Sequence, residues 1–527
     1  MLKNIDLHST SIGIELGSTR IKSVLVDKLG KCLSIGVAEW ENELNEEGYW
    51  TYSEDLIWRT LQKSYSNLKE NFYKKYNEKL YTTGSIGISG MMHGLMAFDD
   101  KGQLLTPFRT WRNNNTKESS RLLSNLFSFN IPERWSISHI YQSILDQESY
   151  IKDLNYITTL SGYINWKLTD EKNIGIGDAA GMFPIDSSIN NYDLDKIKKF
   201  DEILEKEDIK WRTLEILPEI LVAGKCSGKL TEKGRQLLDP EGDLSGEIIF
   251  APPEGDAGTG MVATNCINER QANISLGTSA FSMIVLEKEL DNYYKDIDIV
   301  QTPSGKTVAM IHVNNCTSDI NSWVNFIKDV LLSFGVDLEN IDLYKKLFEK
   351  SKQSDERLGN LVSYGFHSGE NIFDINKGMP ILIREQENDF NLANLMKSVL
   401  VSSLAPLKYG HDVLNKYENV KIDKIIAHGG ILKTKNIAQE IISEILDTEV
   451  NTYETASEGG AWGMALLALY TKFYNDEKLD YFLNNRIFNS IGEYKIERNE
   501  NLKKEVDNYL LRYDNYLKDV RKLINEN

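Results

Sequence analysis

The chain contains the same short motif twice, and the two copies lie about half the protein apart. The first copy is IGIELGSTRIKSVLVD, Ile12 to Asp27, and the second is NISLGTSAFSMIVLE, Asn273 to Glu287. Each copy predicts a β-strand, a tight turn of Gly with Ser and Thr, and a second strand rich in Val, Ile and Leu. The duplication therefore predicts two similar halves, each with a hairpin.

The turns of both hairpins have the composition of phosphate-binding sites. Such a turn directs backbone N–H groups and hydroxyls outward, where phosphate oxygens can accept hydrogen bonds from them. The turns consist of Gly17, Ser18 and Thr19 in the first copy and of Gly277, Thr278 and Ser279 in the second. Such turns also occur in purely structural hairpins, so one copy alone would carry little weight. Two copies favour a nucleotide whose phosphates lie between the turns, across a cleft.

Length and composition are those of a two-domain enzyme. At 527 residues the chain exceeds what one hydrophobic core usually supports, and two domains of roughly 200–270 residues are expected. A hydrophobic fraction of 41% argues against extended disorder. A formal net charge of −18 argues against nucleic acid and anionic membrane surfaces as partners. An anionic ligand must therefore be held by local positive charge or by a metal.

The cysteines and the N-terminus indicate a cytoplasmic protein. The four cysteines (Cys32, Cys226, Cys266 and Cys316) show no CxxC or paired metal spacing, which indicates free thiols in a reducing compartment. The N-terminus has no signal-peptide pattern, and no apolar run approaches ~20 residues. We therefore expect a soluble protein with no membrane association.

The first half alternates strand and helix signals. Residues 31–40 predict a third strand, and Leu56–Lys74 predict an amphipathic helix. SIGISGMMHGLMAFD, residues 85–99, predicts a strand, a glycine-rich loop and another strand. Residues 116–215 are predicted to be mainly helical, with a break at residues 173–186.

The second half opens with the repeated hairpin and continues with a long helical middle. Residues 423–446 predict a strand, a turn and a helix, and a helix of small residues is predicted from Ala456. Beyond about residue 475 the chain is polar, with helical periodicity in its last thirty residues. We interpret this tail as a solvated helix packed on the second domain.

Asp256 is the leading candidate for a catalytic group. Residues 247–265 predict a short buried strand, a Pro-Pro turn and a helix that starts at Asp256, which places Asp256 at the helix N-cap. One interpretation is a structural cap that accepts backbone hydrogen bonds. The flanking glycines and Pro252–Pro253 favour another, a fixed and ionised carboxylate that a ligand approaches closely. Such a carboxylate can accept the proton of an alcohol that attacks a phosphoryl group.

Charged residues flank the first turn. Glu15 cannot hold phosphate directly, but a carboxylate can hold Mg²⁺ through water, because magnesium keeps most of its hydration shell. Lys22 is placed to bring positive charge to the phosphates. The alternative interpretation, a salt-bridged surface hairpin, would be stronger if the hairpin occurred once.

Two glycine-rich segments of the second half indicate a nucleotide. Gly429 and Gly430 follow a strand and precede a helix, which lets the chain pass close to a flat ligand and favours phosphate at the helix start. The next helix contains GGAWG from Gly459, where small side chains leave space for an adenine. Glycine-rich helix faces also occur where two helices simply pack closely.

Two loops of the first half are candidates for sugar binding. His93 lies in GMMHG, and Trp111 lies in FRTWRNNN, residues 108–115. An indole ring with Arg and Asn neighbours can stack on a polyhydroxylated ligand and hydrogen-bond its hydroxyls. Equally, Trp111 can be an ordinary half-buried aromatic residue, and His93 can be a loop histidine whose hydrogen bonds are made within the protein.

Taken in order, these motifs resemble those of the FGGY family of carbohydrate kinases over residues 12 to about 470. GIELGSTRIK and NISLGTSA are similar to the family's two phosphate motifs, and HGGILKTKN is similar to its adenosine motif. PEGDAGTG is similar to the motif that holds the catalytic Asp, and ASEGGAWGMALLA to the closing helix. GMMHG and GDAAGMFPID resemble the sugar loops of xylulokinase-like members.

The resemblance implies an α/β fold of two actin-like (ribonuclease H-like) domains with a central ligand cleft. It implies an N-terminal domain at 1–268 with the sugar site and the catalytic Asp, a C-terminal nucleotide-binding domain at 269–480, and a helical tail at 481–527. It also implies ATP and Mg²⁺ as cofactors and a small-molecule sugar as substrate. A homodimer is one alternative for the assembly.

The resemblance also implies individual roles. Asp256 would be catalytic, and Asp256 and Glu15 would serve the metal. The residues expected at the sugar are Met92, His93, Trp111, Arg112, Asn113, Asp178 and Asp256. The residues expected at the nucleotide are Gly17, Ser18, Thr19, Lys22, Gly277, Thr278, Ser279, Gly429, Gly430 and Asn436.

The sugar motifs depart from the family more than the nucleotide motifs do. The family's Asp-x-Gly-Thr is ELGS here, and the longer carboxylate of Glu15 should still reach a metal-bound water. Met91 replaces a Gln of the xylulokinase-type loop, and Asn113 and Asn115 replace two charged residues of Trp-x-Asp-x-Arg. The signature Gly-Glu-Arg-Thr-Pro reads SGENIFD at residues 368–374. The resemblance therefore predicts the type of reaction more firmly than it predicts the substrate.

Three functions compete. The leading one is an ATP- and Mg²⁺-dependent kinase for a pentulose such as D-xylulose, with another ketose, a polyol or a sugar acid (L-ribulose, erythritol, gluconate) as alternatives. The second is a non-catalytic sugar- or nucleotide-sensing module, against which the intact Asp256 argues. The third is an ATPase of the actin or heat-shock type, which has no use for the GMMHG and Trp111 loops.

Overall fold

The computed structural model of the chain describes residues 5–434, 436–457 and 459–526, and the backbone forms a mixed α/β fold. The strands are β1 (Ser11–Leu16), β2 (Arg20–Val26), β3 (Cys32–Glu39), β4 (Glu43–Leu44), β5 (Trp50–Thr51), β6 (Ser85–Gly90), β7 (Met96–Phe98), β8 (Tyr156–Thr158), β9 (Asn173–Gly175), β10 (Ile185–Asp186), β11 (Asn191–Tyr192), β12 (Glu219–Leu221), β13 (Gly228–Lys229), β14 (Ile249–Phe250), β15 (Glu254–Gly255), β16 (Gln271–Leu276), β17 (Ala280–Val285), β18 (Ile297–Gln301), β19 (Thr307–Val313), β20 (Leu361–Tyr364), β21 (Ile381–Arg384), β22 (Lys424–Gly429), β23 (Val450–Tyr453) and β24 (Glu493–Tyr494).

The α-helices alternate with these strands along the chain. They are α1 (Glu54–Tyr76), α2 (Lys117–Phe127), α3 (Ser136–Leu145), α4 (Leu160–Thr169), α5 (Ile176–Ala179), α6 (Leu194–Lys206), α7 (Thr213–Ile216), α8 (Glu232–Leu238), α9 (Asp256–Ala263), α10 (Thr317–Ser333), α11 (Leu343–Ser351), α12 (Leu392–Glu418), α13 (Ile437–Leu446), α14 (Gly459–Phe473), α15 (Leu479–Phe482) and α16 (Glu500–Glu526).

Packing divides the chain into two compact units. The first contains residues 5–268, residues 298–308 and a segment that ends at Ile491. The second contains residues 269–297, residues 309–457 and a segment that starts at Gly492. Helix α14 therefore packs within the first unit, although it follows most of the second unit in sequence.

The sheet of the first unit has the order β13-β14-β6-β1-β2-β3, and β15 also pairs with β6. Strand β1 runs antiparallel to β2 and parallel to β6. Two glycines let helices pack directly on this sheet. A Cβ on Gly13 of β1 would lie 2.1 Å from the carbonyl oxygen of Ala461 in α14, and one on Gly36 of β3 would lie 2.1 Å from that of Ser64 in α1. Only glycine permits these contacts.

The sheet of the second unit repeats the same arrangement. Its strands follow the order β19-β17-β16-β22-β23-β24, and β16 runs antiparallel to β17 and parallel to β22. Strands β16, β17 and β22 thus correspond to β1, β2 and β6. This repetition confirms the two similar halves predicted from the duplicated motif.

Most predicted elements of the first half are confirmed. The first hairpin forms as β1 and β2, residues 31–40 contain β3, and the amphipathic helix is α1. Residues 85–99 form β6, a loop and β7, and residues 173–186 interrupt the helices with β9, α5 and β10. In the second half, residues 423–446 form β22, a 3₁₀ turn and α13.

Two predicted helix starts need correction. The N-cap of α9 is Gly255, and Asp256 is the first helical residue, because Glu254 and Gly255 are extended and pair with β6. The predicted helix from Ala456 begins at Gly459, after a 3₁₀ turn at Glu454–Ser457. Lys435, in the adenosine motif, and Glu458, at the start of this helix, lie outside the described residues.

Across the described ranges, no helix combines the length and the apolar composition needed to cross a membrane. Cys266 and Cys316 are buried, and Cys226 is exposed.

The predicted C-terminal helix is α16, and one face of it is buried in the second unit. Tyr513 is fully buried, with its ring centroid 4.3 Å from that of Tyr364 in β20. The hydroxyl of Tyr509 accepts hydrogen bonds from the N–H of Ser363 (3.0 Å) and the hydroxyl of Ser398 (3.2 Å). Helix α16 is therefore part of the core of the second unit, whereas the start of the predicted tail, up to Ile491, packs within the first unit.

We predict that Tyr513→Ala lowers the free energy of unfolding by about 3–5 kcal/mol, because it removes a large aromatic ring from a packed core. Leu511→Ala is the matched control on the same helix, since Leu511 is 63% exposed, and it should change stability by no more than about 0.5 kcal/mol. Urea unfolding followed by circular dichroism measures both. Equal losses for the two variants would show that α16 is not part of this core.

Candidate active site

The first turn, between β1 and β2, is held by its carbonyl groups. The carbonyl of Gly17 accepts a hydrogen bond from the indole N–H of Trp40 (2.6 Å), and that of Ser18 accepts one from the hydroxyl of Tyr52 (2.6 Å). The carbonyl of Thr19 accepts one from the backbone N–H of Trp40 (3.1 Å). The side chains of Ser18 and Thr19 are exposed, and no described residue accepts from the N–H of either. These donors are therefore available to a phosphate.

The second turn, between β16 and β17, is held in the same manner by a helix. The carbonyl of Thr278 accepts a hydrogen bond from the N–H of Cys316 (2.8 Å). The carbonyl of Gly277 accepts from the N–H (3.0 Å) and the hydroxyl (2.8 Å) of Thr317, the first residue of α10. Gly277 and Thr278 are exposed. Both turns thus direct their carbonyls inward.

Glu15 lies near the end of β1, directly opposite Lys22 of β2. One carboxylate oxygen accepts a hydrogen bond from the N–H of Ala461 (3.1 Å), and a Cβ on Gly460 would lie 2.5 Å from the other. Burial and the nearby carboxylate of Asp256 raise the pKa of Glu15, while the N–H of Ala461 and the charge of Lys22 oppose the shift. Glu15 and Asp256 therefore repel each other when both are ionised.

Asp256 stands at the start of α9 and stays accessible to solvent. Its Oδ1 accepts hydrogen bonds from the N–H groups of Met92 (3.2 Å) and Ala257 (3.0 Å). The densely packed surroundings desolvate the carboxyl group and raise its pKa, and these two hydrogen bonds oppose the shift. An accessible carboxylate that is oriented by two N–H groups has the geometry of a base.

Asp178 is fully buried in the short helix α5. Its Oδ2 accepts hydrogen bonds from the hydroxyls of Thr159 (2.6 Å) and Ser161, but no described residue donates to its Oδ1. Burial raises the pKa of Asp178 to about 7; the two hydroxyls oppose the shift and the charge of Asp256 adds to it. A Cβ on Gly255 would lie 3.4 Å from Oδ1, so Asp178 lies next to the residue that precedes Asp256. A buried acceptor with a vacant oxygen is a site for a ligand hydroxyl.

Glu254 is a member of this cluster that sequence reasoning missed. Its carboxyl group is buried, with Oε1 accepting from the N–H of Gly177 (3.4 Å) and Oε2 without a partner among the described residues. A Cβ on either Gly175 or Gly177 would lie 2.4 Å from this carboxyl group. Burial and the charge of Asp178 raise the pKa of Glu254 well above its usual value. The only sequence signal for this contact is the pair of alternating glycines in GIGD, Gly175 and Gly177, which leave space for another side chain. This signal lies far from Glu254 in sequence.

The four carboxyl groups of Glu15, Asp256, Asp178 and Glu254 form a row. Each interacts with the next one, and each interaction raises the pKa of a member. In the part of the chain that the structure describes, no cluster of three or more His, Cys, Asp or Glu side chains could hold a metal ion. A metal at Glu15 and Asp256 would therefore take its other ligands from phosphate and water.

The GMMHG loop after β6 brings two of the predicted sugar residues next to this row. His93 is buried, and its ring stacks 6.4 Å from that of Trp135. A Cβ on Gly181 would lie 2.7 Å from Nδ1 of His93 and 3.2 Å from the terminal methyl of Met92. The side chain of Met92 also packs on Gly255, whose Cβ would lie 2.1 Å from its Cγ.

The Trp111 segment is placed differently from the GMMHG loop. Trp111 is 41% exposed. The guanidinium of Arg112 lies 3.7 Å from the centroid of Trp50 and donates to Asn42 (2.9 Å). The buried amide of Asn113 accepts from the N–H of Trp50 and donates to its carbonyl, both at 2.9 Å. The side chains of Arg112 and Asn113 thus hold Trp50, and Trp111 remains open to a ligand.

In the second unit, Gly429 lies beside the second turn. Its register partner in the neighbouring strand is Leu276, and a Cβ on Gly429 would lie 2.0 Å from the carbonyl oxygen of Leu276. A Cβ on Gly430 would meet nothing within 4 Å, which leaves open space at this position. Asn436 is the N-cap of α13. The second turn, Gly429 and Gly430 therefore lie at the ends of β16 and β22, and Asn436 lies farther along the chain at the start of α13.

Family models match both halves of the chain. The N-terminal domain model of the FGGY family of carbohydrate kinases matches residues 10–240, and the C-terminal domain model of the same family matches residues 272–471.

Curated relatives match nearly the whole chain at low identity. The chain is 22% identical over 533 residues to the xylulose kinase of Haemophilus influenzae, with 97% of this chain and 99% of that protein covered. It is 21% identical over 480 residues to the xylulose kinase of Staphylococcus xylosus, with 87% of this chain and 90% of that protein covered.

Solved structures share the fold over the whole chain. A xyloylose kinase from Brucella ovis superimposes with a TM-score of 0.80 at 16% identity, covering 98% of this chain and 100% of its own. The gluconate kinase from Lactobacillus acidophilus gives a TM-score of 0.77 at 16% identity, covering 96% of this chain and 98% of its own. These similarities confirm the α/β fold of two actin-like domains.

We predict that Asp178 makes stability depend on pH. Its pKa is higher in the folded protein than its ordinary value, so the folded state binds this proton more tightly than the unfolded chain does. The resulting stabilisation is complete below about pH 4 and is lost as the pH rises through about 7. The unfolding free energy of the parent, relative to Asp178→Asn, should therefore fall by a few kcal/mol over this range. Urea unfolding at several pH values measures it, and a difference that is constant with pH would contradict the shift.

Proposed function

Because this chain belongs to the FGGY family of carbohydrate kinases, we propose that it phosphorylates a pentulose such as D-xylulose with ATP. The chain is a phosphotransferase that acts on an alcohol group, and its family uses ATP as the phosphate donor. The curated relatives that span most of the chain are named xylulose kinases, which supports a pentulose as the acceptor.

The orientation of Asp256 is the observation that carries the mechanism. The attacking sugar hydroxyl would give its proton to this carboxylate as its oxygen bonds to the γ-phosphorus and ADP leaves. In such a loose transition state the base needs correct orientation more than high basicity. The N–H groups of Met92 and Ala257 supply that orientation.

The sugar would bind beside Asp256, on residues that the structure brings together. Asp178 offers a buried oxygen without a partner among the described residues, and Met92 and His93 pack around Gly255 and Gly181 next to it. Trp111 would contribute its exposed ring from the neighbouring segment. Arg112 and Asn113 would act indirectly, since their side chains hold Trp50.

The nucleotide would bind through the two turns and the segment after β22. Gly17, Ser18, Thr19 and Lys22 are proposed for one part of the triphosphate. The proposed residues of the second unit are Gly277, Thr278, Ser279, Gly429, Gly430 and Asn436. In the second unit the turn and the glycines lie at the ends of adjacent strands.

The residues Glu15 and Asp256 suit Mg²⁺, because the charge of Asp256 raises the pKa of Glu15 and a divalent cation would offset the repulsion between the two carboxylates. When bound, Mg²⁺ supplies positive charge to the phosphates. Glu15 would hold the hydrated ion, and Asp256 would keep its orientation through Met92 and Ala257.

The contacts of Arg112 bear on the alternative of a sugar acid. A carboxylated substrate would need a guanidinium in the pocket, and one structural neighbour is a gluconate kinase. The guanidinium of Arg112 stacks on Trp50 and bonds Asn42 instead. These contacts favour an uncharged sugar.

We predict that Asp256→Asn lowers turnover by ~10²–10⁴-fold and leaves ATP binding intact, because it removes the proton acceptor and keeps the side-chain shape. The matched control is Asp193→Asn, since Asp193 caps α6 by accepting the N–H of Lys196 (3.0 Å). The control should retain turnover within a few-fold. If both variants turn over at the parental rate, Asp256 is only a structural residue of α9.

We predict that D-xylulose gives the highest kcat/KM in a panel with L-ribulose, gluconate, glycerol and erythritol at one ATP concentration. The guanidinium of Arg112 stacks on Trp50, which disfavours gluconate, and the curated relatives named xylulose kinases favour D-xylulose over the uncharged members of the panel. ADP release measures the rates. A preference for gluconate of more than tenfold would disprove the pentulose assignment and would require Arg112 to leave Trp50.

A further inference from the structure

We propose that Glu370 positions the second phosphate-binding turn by holding the backbone that leads into α10. Glu370 lies in SGENIFD, where Gly369 and Glu370 match the first two residues of the signature Gly-Glu-Arg-Thr-Pro and the next three residues differ. The inference rests on the proposed function, because the turn at Gly277–Ser279 matters only if it binds the phosphates of ATP. Glu370 would be a positioning residue, since it acts on the turn through intervening residues.

Glu370 is a buried carboxylate that binds two consecutive backbone N–H groups. One oxygen accepts from the N–H of Asn314 (3.1 Å), and the other accepts from the N–H (3.3 Å) and the side-chain amide (3.3 Å) of Asn315. Glu370 is 0% exposed. Burial raises its pKa to about 7, and the N–H groups oppose the shift. Hydrogen bonds to a charged, buried acceptor are among the stronger ones in proteins.

The side chain of Asn315 also binds the segment that contains Glu370. Its side-chain oxygen accepts from the N–H of Ser368 (3.0 Å), and its amide donates to the carbonyl of Gly369 as well as to Glu370. Asn315 is buried. The segment before α10 and the segment at residues 368–370 are therefore joined in both directions.

The next two residues after Asn315 are those that hold the turn. The N–H of Cys316 donates to the carbonyl of Thr278, and the N–H and hydroxyl of Thr317 donate to the carbonyl of Gly277. The two residues that donate to Glu370, Asn314 and Asn315, are thus followed directly in the chain by the two that donate to the turn, Cys316 and Thr317. A displacement at Asn315 must move the N–H groups that bind Gly277 and Thr278.

The far end of the Glu370 segment is anchored by the C-terminal helix. The carboxylate of Asp374 binds Arg521 (2.6 Å) and Lys295, and the carbonyl of Asp374 accepts from the side chain of Asn525 (2.9 Å). The segment that carries Glu370 is therefore bonded at both ends, to Asn315 on one side and to α16 on the other.

The test compares Glu370→Gln with Glu418→Gln. Glu418 is a buried carboxylate of the same unit that also binds two consecutive N–H groups, those of Asp291 (2.8 Å) and Asn292 (3.1 Å), and the side-chain amide of Asn292 (3.1 Å). Its partners lie beyond the end of β17 that is remote from the turn. The control therefore removes the same kind of interaction and leaves the turn untouched.

We predict that Glu370→Gln raises the Kd of a non-hydrolysable ATP analogue, measured by titration calorimetry, by about tenfold or more. The same variant should leave the KM of the sugar unchanged and should speed hydrogen–deuterium exchange in the peptide that contains residues 314–317. Glu418→Gln should change the Kd by less than twofold. Asn315→Ala should match Glu370→Gln, and it decides the question if Glu370→Gln does not fold.

Thr278→Ala separates the two levels of the proposal. If Thr278→Ala weakens the analogue while Glu370→Gln and Asn315→Ala bind it as tightly as Glu418→Gln, the inference on Glu370 is overturned and the phosphate role of the turn stands. If Thr278→Ala also binds the analogue normally, the phosphate role of the turn is wrong, and the inference on Glu370 fails with it.

Discussion

Repulsion among four closely spaced carboxyl groups is the constraint on which the candidate site of the first unit depends. The row consists of Glu15, Asp256, Asp178 and Glu254. The charge of Asp256 raises the pKa of Glu15 and of Asp178, and the charge of Asp178 raises the pKa of Glu254. Such a row is costly to assemble, because burial also penalises each charge. Backbone N–H groups and the hydroxyls of Thr159 and Ser161 stabilise the carboxyl groups by hydrogen bonds. Glycines next to them leave the space that the carboxyl groups occupy.

The two halves hold equivalent hairpin turns with different groups. Each turn has its carbonyls bound by groups of its own unit, which fixes the conformation of the turn. In the first half aromatic side chains make these bonds, from Trp40 and Tyr52. In the second half the start of α10 makes them, through Cys316 and Thr317. The hairpin is thus common to both halves, whereas the groups that bind the carbonyls of its turn differ between them.

The sequence predicted the hairpins, the α/β class, the helix at Asp256 and the family, because these depend on local patterns and on motifs contiguous in the chain. It could not predict Glu254, because the glycines that accommodate it belong to a segment about eighty residues earlier. Nor could it predict the partners of Asn113, since an amide that binds the backbone of Trp50 looks the same in sequence as one that binds a sugar. The N-cap of α9 moved by one residue because β15 pairs with β6, a non-local contact. The site assignments themselves stay predictions.

The hydrogen bond from Met92 to Asp256 has an evolutionary consequence. A single backbone N–H joins the proposed sugar loop to the proposed base, so a loop that shifts to accept a new sugar also tilts the group that activates it. Substitutions in GMMHG that change the substrate would therefore also lower the turnover rate. The Trp111 segment carries no such bond to Asp256 among the described residues, and Met91 lies in the core. New specificities should therefore arise first around Trp111, where selectivity can drift while the rate is preserved.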